Sequence, residues 1–261
     1  MTEPKQNYPP KETPFSVTLK AGHLVFDSAI LFEKLDLTLA AGGWTCLLGP
    51  SGVGKTTLLR LIAGLVPDAR DVAVTCSDNL PLAHRAAYMA QQDLLLPWLS
   101  VAENVALGSR LRGLNGHDDF AEERARQLLN RVGLAANADD LPNKLSVGMR
   151  LRVALARTLM EDRPVVLMDE PFSALDAITR VRLQDMASEL LAGSTVLLVT
   201  HDPLEALRLS DKIFVLSGRP VSLAAPLELT GDAPRDLHDP QVLEGQADLL
   251  DRLARADERQ A

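Results

Sequence analysis

Gly49-Pro50-Ser51-Gly52-Val53-Gly54-Lys55-Thr56 fits the spacing G-x-x-x-x-G-K-[ST], and each residue type in it has a chemical use. Glycines let successive backbone N–H groups turn inward around phosphate oxygens. A helix opening at the lysine adds the partial positive charge of its N-terminus, Lys55 can reach β- and γ-phosphates, and the Thr56 hydroxyl, followed by Thr57, can ligate Mg²⁺. Farther along, Val165-Val166-Leu167-Met168-Asp169-Glu170 is an apolar run ending in two carboxylates. Ligands gather at the carboxyl ends of buried parallel strands. Asp169 is therefore placed to hold the metal, directly or through water, and Glu170 to position and polarise an attacking water.

These groups need elements to hold them. Segments from Ser16 to Leu39 alternate apolar and polar residues, the period of half-buried strands in an antiparallel layer, and Trp44–Leu48 is a third strand leading into the glycine-rich turn. KTTLLRLIAGL is nearly apolar all round, so it predicts a buried helix stopped at Gly64. Between Ala90 and Leu145 the pattern turns helical. Ser100 and Glu103 form a capping box, and Asp118 or Asp119 opens a second helix that Gly133 closes. Ser146 caps a helix through Met160, Val165–Met168 is a continuous apolar strand, a helix covers about Ala177–Leu191, and Thr195–Thr200 is another strand. Alternating strands and helices mean an α/β fold with a parallel sheet. Asp202-Pro203-Leu204-Glu205 combines an N-cap, a proline at N1 and a glutamate at N3 and predicts a short helix directly after the strand; KIFVLSGRPVSLAAPLEL reads as two strands around Ser217-Gly218. The expected organisation is a mobile tail over 1–15, a domain over 16–230 with a helical insertion at about 91–160, and an extension over 231–261, helical at Ala247–Ala256.

Composition excludes other classes. With 27 Lys+Arg against 35 Asp+Glu the net charge is −8, which disfavours a nucleic-acid binder. Cys46 and Cys76 have no CxxC or Cys/His ligand spacing, so neither a disulfide framework nor a zinc site is expected and a reducing cytosol is. The N-terminus lacks the apolar core of a secretory signal, and no apolar run approaches the roughly 20 residues that cross a bilayer. Any spanning part belongs to another chain. Asn143-Lys144-Leu145-Ser146 lacks the carboxylate that would read guanine, and Ser51 belongs to the phosphate loop, not to a GxSxG elbow.

The remaining motifs fall in a known order. Leu145-Ser146-Val147-Gly148-Met149 resembles the LSGGQ signature, Ser173-Ala174-Leu175-Asp176 resembles the D-loop, His201 closes a strand as the switch histidine does, and Gln91 lies where the Q-loop glutamine does. Over about residues 16–220 the chain resembles ABC transporter ATPase subunits. That resemblance implies a P-loop NTPase of ABC type, with a mixed core sheet, an N-terminal antiparallel β layer and a helical subdomain. It also implies a head-to-tail homodimer with two ATPs sandwiched, each bound by the phosphate loop of one protomer and the signature helix of the other. By the same resemblance Phe26 stacks on adenine, Gln91 senses Mg²⁺ and the γ-phosphate, His201 contacts that phosphate, and Ser146, Gly148 and Asp176 serve the partner's nucleotide. Val147 departs from the pattern, standing where the signature has its first glycine; Met149 and Leu151 each replace a glutamine. Arginines 150, 152 and 157 make a basic face, read as solvated or as docking another domain.

Asp93 to Val105, with Leu94-Leu95-Leu96-Pro97-Trp98, resembles the LLPW-x-xVxxNV stretch of the nitrate, sulfonate, taurine and thiamine-precursor importers. In that branch this surface receives a coupling helix. The resemblance implies an importer ATPase, peripheral on the cytoplasmic face of the inner (plasma) membrane, with a separate permease and a solute-binding protein. A non-hydrolysing regulatory ATP-binding module and an exporter ATPase are the alternatives.

Overall fold

The computed structural model describes residues 13–26, 29–66, 71–112 and 118–258. Its elements run in the order β1 (Val17–Phe26), β2 (Ala29–Leu39), β3 (Trp44–Leu48), α1 (Lys55–Ile62), β4 (Val72–Cys76), β5 (Ala86–Met89), α2 (Val101–Leu111), α3 (Asp118–Arg131), α4 (Val147–Met160), β6 (Val165–Asp169), α5 (Ala177–Leu190), β7 (Thr195–Thr200), α6 (Pro203–Leu209), β8 (Lys212–Ser217), β9 (Ser222–Leu223), β10 (Leu227–Glu228) and α7 (Pro240–Glu258).

The central sheet has the order β10-β8-β3-β7-β6-β5, with β9 also on β8. Its four contacts from β8 to β5 are parallel, and the two short strands join β8 antiparallel. Strands β3, β6 and β7 are buried at every residue, because both faces of the sheet are covered; this is why they read as unbroken apolar runs. Alternate residues serve two cores. Cys46, Leu48, Val166, Met168, Val196 and Leu198 face the helices α2 to α5. Leu47, Val165, Leu167, Leu197 and Val199 face α1 and the antiparallel layer β2-β1-β4. Phe15 lies in that second core, and its carbonyl accepts a 2.9 Å bond from Thr195 Oγ1. The mixed sheet, antiparallel layer and helical subdomain are those expected.

Between Gly64 and Ala90, where the sequence carries no clear pattern, lie β4 and β5. VAVTC is half exposed and AAYM is short and small, so neither has local signal; β4 forms by pairing with β1, and β5 by pairing with β6. The second strand expected after Gly218 divides into β9 and β10, and Pro226 between them lacks the N–H a continuous strand needs. Helix α7 begins at Pro240, earlier than Ala247. The signal for that start is Asp239-Pro240, the same cap-and-proline pair that opens α6, and Asp239 Oδ1 accepts from the Gln241 N–H at 2.8 Å.

Helix α6 opens at the expected cap, Asp202, with Pro203 at N1. Asp202 Oδ1 accepts from the Leu204 N–H at 2.9 Å and the Glu205 N–H at 3.4 Å, but the Asp202 N–H goes to Thr200 Oγ1 at 3.0 Å. The Glu205 side chain turns inward, is only 2% exposed, and accepts from Gln184 Nε2 at 3.3 Å. Burial pushes its pKa up to about 8, with repulsion from Asp202 adding to the rise. Between the ordinary value of 4.5 and about 8 the folded chain keeps a proton that the unfolded chain has lost. Stability attributable to this group therefore falls as pH rises through that window and is level above it. Glu205→Gln should flatten the decline. In urea titrations from about pH 5 to about pH 8 the variant should gain on the parent by on the order of 2 kcal/mol at the alkaline end; parallel profiles would contradict the assignment.

Candidate active site

The phosphate loop leaves β3 at the middle of the sheet. Gly49 is required by close approach, since a Cβ there would lie 3.2 Å from the Leu216 carbonyl oxygen. Gly54 caps α1 at φ +110°, a backbone state that side chains rarely adopt. Val53 is 1% exposed and anchors the loop in the second core, so what it can offer a ligand is backbone. Ser51, Gly52, Gly54, Lys55, Thr56, Thr57, Gln91 and Glu170 line one cleft of about 320 Å³.

Lys55 is 4% exposed. Its ammonium donates to the carbonyls of Gly49 at 2.8 Å and Pro50 at 2.9 Å and stands 3.9 Å from Glu170 Oε1. Burial lowers its pKa, and the charges of Glu170 and Asp169 oppose that shift. Thr56 Oγ1 donates to Asp169 Oδ1 at 2.9 Å. Glu170 follows with φ +46°, a left-handed state costly for a non-glycine residue, and its carboxylate is where the site converges. Gln91 Nε2 donates to Glu170 Oε2 at 3.2 Å, and His201 Nδ1 lies 3.0 Å from the same oxygen. The residues expected to act on the γ-phosphate and its water, drawn from loops after β3, β5, β6 and β7, thus share one cleft end.

Ser146, Gly148 and Asp176 do not join them. They line a separate cleft of about 240 Å³ with Val147, Arg152, Ala174, Leu175 and Thr179. Ser146 Oγ caps α4 by accepting from the Met149 N–H at 3.3 Å, and Asp176 Oδ1 caps α5 by accepting from the Thr179 N–H at 3.0 Å. A Cβ on Gly148 would press to 3.1 Å from Thr179 Cγ2, so this glycine is needed for packing α4 on α5. Val147 is 44% exposed and lines the same cleft. The side chain of Phe26 lies outside the described residues.

Two features escaped the sequence reading. Tyr88 on β5 donates from its hydroxyl to Asp169 Oδ2 at 3.2 Å, a contact that depends on β5 pairing with β6 and has no local signature. The arginines of α4 are not simply solvated. Arg150 Nε bonds Asp93 Oδ2 at 2.9 Å, while Arg157 donates to the carbonyls of Asp93 at 2.6 Å and Leu94 at 2.9 Å. They clamp the segment after Gln91 to the signature helix. Beyond that clamp, Trp98 is 71% exposed and Leu94 58%.

A phosphate cradle in one cleft and a capped helix end in another, with no phosphate loop of its own, define the ATP-binding-cassette class of P-loop ATPases. The known proteins agree. A family profile described as "ABC transporter" matches residues 32–173. The chain is 46% identical over 233 residues to an uncharacterized ABC transporter ATP-binding protein of Haemophilus influenzae, covering 88% of this chain and 95% of that one. It is 44% identical over 238 residues to the aliphatic sulfonates import ATP-binding protein SsuB 1 of Rhodococcus jostii, covering 90% and 92%. Among solved structures, the dimeric ATP-binding cassette MJ0796 in a post-hydrolysis state bound to ADP and Pi superposes with a TM-score of 0.69 at 27% identity, covering 82% of this chain and 99% of that one. The chain belongs to the ABC transporter family and is an ATPase of its importer-like branch.

Proposed function

We propose that this chain is the Mg²⁺-ATP-hydrolysing subunit of a solute importer. It works as a head-to-tail homodimer, peripheral on the cytoplasmic face of the plasma membrane, beneath a separate permease that a solute-binding protein supplies. The observation that carries the dimer is the division of the site residues between two clefts: each is half of a nucleotide site, and the second half must come from another copy. The dimeric cassette MJ0796 supports it, as relatives named for aliphatic sulfonate import support the direction of transport.

The residues fit the group they would hold. Lys55 is buried with loop carbonyls as its hydrogen-bond acceptors, partners that a phosphate oxygen outbids for an ammonium. The backbone amides of Ser51 to Thr56 and the start of α1 complete the cradle, with Thr57 at its rim. Thr56, Asp169 and Gln91 would hold Mg²⁺, which when bound neutralises charge on the β- and γ-phosphate oxygens. Glu170 accepts the proton of the attacking water, Gln91 and His201 hold that carboxylate in place, and His201 faces the γ-phosphate. In the partner's site, the N-terminus of α4 with Ser146 and Gly148 presents a hydroxyl and free amides to the same phosphate, and Asp176 lies beside it. Phe26 stacks on adenine.

The permease reading rests on the helical subdomain. Leu94, Leu107, Leu111, Arg157 and Glu161 line a groove of about 380 Å³, and Trp98 stands exposed on the same loop, a large rigid anchor of the type that dominates interfaces. Trp98→Ala should reduce co-purification with a co-expressed permease by about tenfold or more while the isolated subunit keeps its nucleotide affinity and thermal midpoint. Loss of nucleotide binding together with stability would place Trp98 in the fold instead. Val147 brings a β-branched side chain to the helix end where the family pattern has glycine, filling space that the partner's γ-phosphate needs to approach the amides. Val147→Gly should raise kcat several-fold, on the order of 1 kcal/mol in barrier, with nucleotide binding by the monomer unchanged; equal or lower turnover would show that the valine is accommodated.

A further inference from the structure

The backbone of Glu170 is held from β7 on one side and from the segment that follows it on the other. Its N–H donates to the Val199 carbonyl at 2.8 Å, and its own carbonyl accepts from Ser173 Oγ at 3.0 Å and the Ser173 N–H at 3.3 Å. The turn Ser173–Asp176 thus supports the strained residue at one end. At its other end a single guanidinium takes over. Arg180, on the first turn and a half of α5, donates from one terminal nitrogen to the Leu175 carbonyl at 2.9 Å and from the other to Asp202 Oδ2 at 3.0 Å. Asp202 is the residue after His201, and its second oxygen caps α6. One planar side chain therefore spans the turn that supports Glu170 and the loop that carries His201.

The consequence for the site is geometric. The 3.0 Å contact of His201 Nδ1 with Glu170 Oε2 joins the ends of β6 and β7, and Arg180 is the second link between the loops leaving those strands. A bidentate guanidinium fixes orientation as well as distance, which a flexible ammonium does not. We propose that Arg180 is a positioning residue for hydrolysis: by tying Asp202 to Leu175 it holds His201 on Glu170, and it makes that alignment depend on the Ser173–Asp176 turn. Because Asp176 and Leu175 also line the cleft for the other protomer's nucleotide, occupancy there reaches His201 of this chain through Arg180. The inference rests on the hydrolytic roles proposed for Glu170 and His201.

The test is steady-state hydrolysis by the dimeric subunit with its permease, paired with nucleotide binding and urea denaturation of each variant. Arg180→Met should lower kcat by about tenfold and reduce the Hill coefficient for ATP, with KM and nucleotide affinity within about twofold of the parent. Arg180→Lys, which keeps charge near Asp202 and loses the two-sided grip, should recover less than half of the lost turnover. Asp202→Asn retains the Oδ1 cap, and adding Arg180→Met to it should cost no more than about a further twofold, since the link is already cut. Unchanged turnover in Arg180→Met, full recovery by lysine, or an undiminished tenfold loss in the Asp202→Asn background would overturn the proposal. If Arg180→Met does not fold, Arg180→Lys and Asp202→Asn as single variants carry the test: each should lower kcat several-fold with KM within about twofold of the parent, and parental turnover in both would overturn the proposal. Failure of the underlying hydrolytic reading is distinguishable, because Glu170→Gln would then retain parental turnover whatever Arg180 does.

Discussion

The carboxylate of Glu170 is the point on which the site depends. Gln91, His201 and Lys55 all approach it, and each arrives from a different connection of the central sheet. That convergence is a property of strand order. With β5, β6, β7 and β3 adjacent and parallel, their carboxyl ends emerge side by side, so residues far apart in sequence meet within hydrogen-bonding distance. Burial of both sheet faces is what locks the register, because slipping one strand by one residue would exchange the sets of side chains that serve the two cores. Packing energy spent far from the cleft thus sets the distances inside it.

A second constraint follows from where helices begin. Helices α1 and α4 both open with exposed amides that suit an anion, but only α1 is preceded by a loop able to wrap a phosphate chain. The cleft at α4 has a serine cap, a glycine forced by contact with Thr179, and an exposed valine. The site cleft makes provisional contacts of its own, with Lys55 on loop carbonyls, Thr56 on Asp169, and Gln91 and His201 on Glu170. On the proposed reading these are groups that aim charge or dipole at a nucleotide, which would take their place as partner. The clamp of Arg150 and Arg157 on Asp93 and Leu94 adds a physical path from the loop bearing Gln91 to the helix that begins at Ser146.

Much of this was legible in the sequence because it is local. The phosphate loop is contiguous, the Asp169-Glu170 pair ends a strand with unmistakable hydrophobicity, and the caps at Ser100, Ser146 and Asp202 announce their helices. What was not legible depends on partners distant in the chain. Strands β4 and β5 have weak patterns and exist by pairing; Tyr88 reaches Asp169 only because β5 lies beside β6. Glu205 stands at N3 of its helix, yet its side chain is buried against Gln184, a tertiary contact with no local signature. The start of α7 was readable at Asp239-Pro240 and overlooked because polar residues and Gly245 dilute the following turns. The site's residue types were thus open to inspection, whereas its convergence on one carboxylate needed the sheet order.

On the proposed reading one chain holds two half-sites that complete each other across a dimer. Light scattering on size-exclusion peaks of Glu170→Gln at saturating ATP reads this out, because the variant leaves the phosphate loop intact and removes the carboxylate proposed to polarise water. The expected result is an ATP-dependent species of twice the 28.3 kDa chain mass, absent without nucleotide and abolished when Ser146→Arg blocks the second cleft. A Glu170→Gln protein that remains monomeric with ATP bound would contradict it.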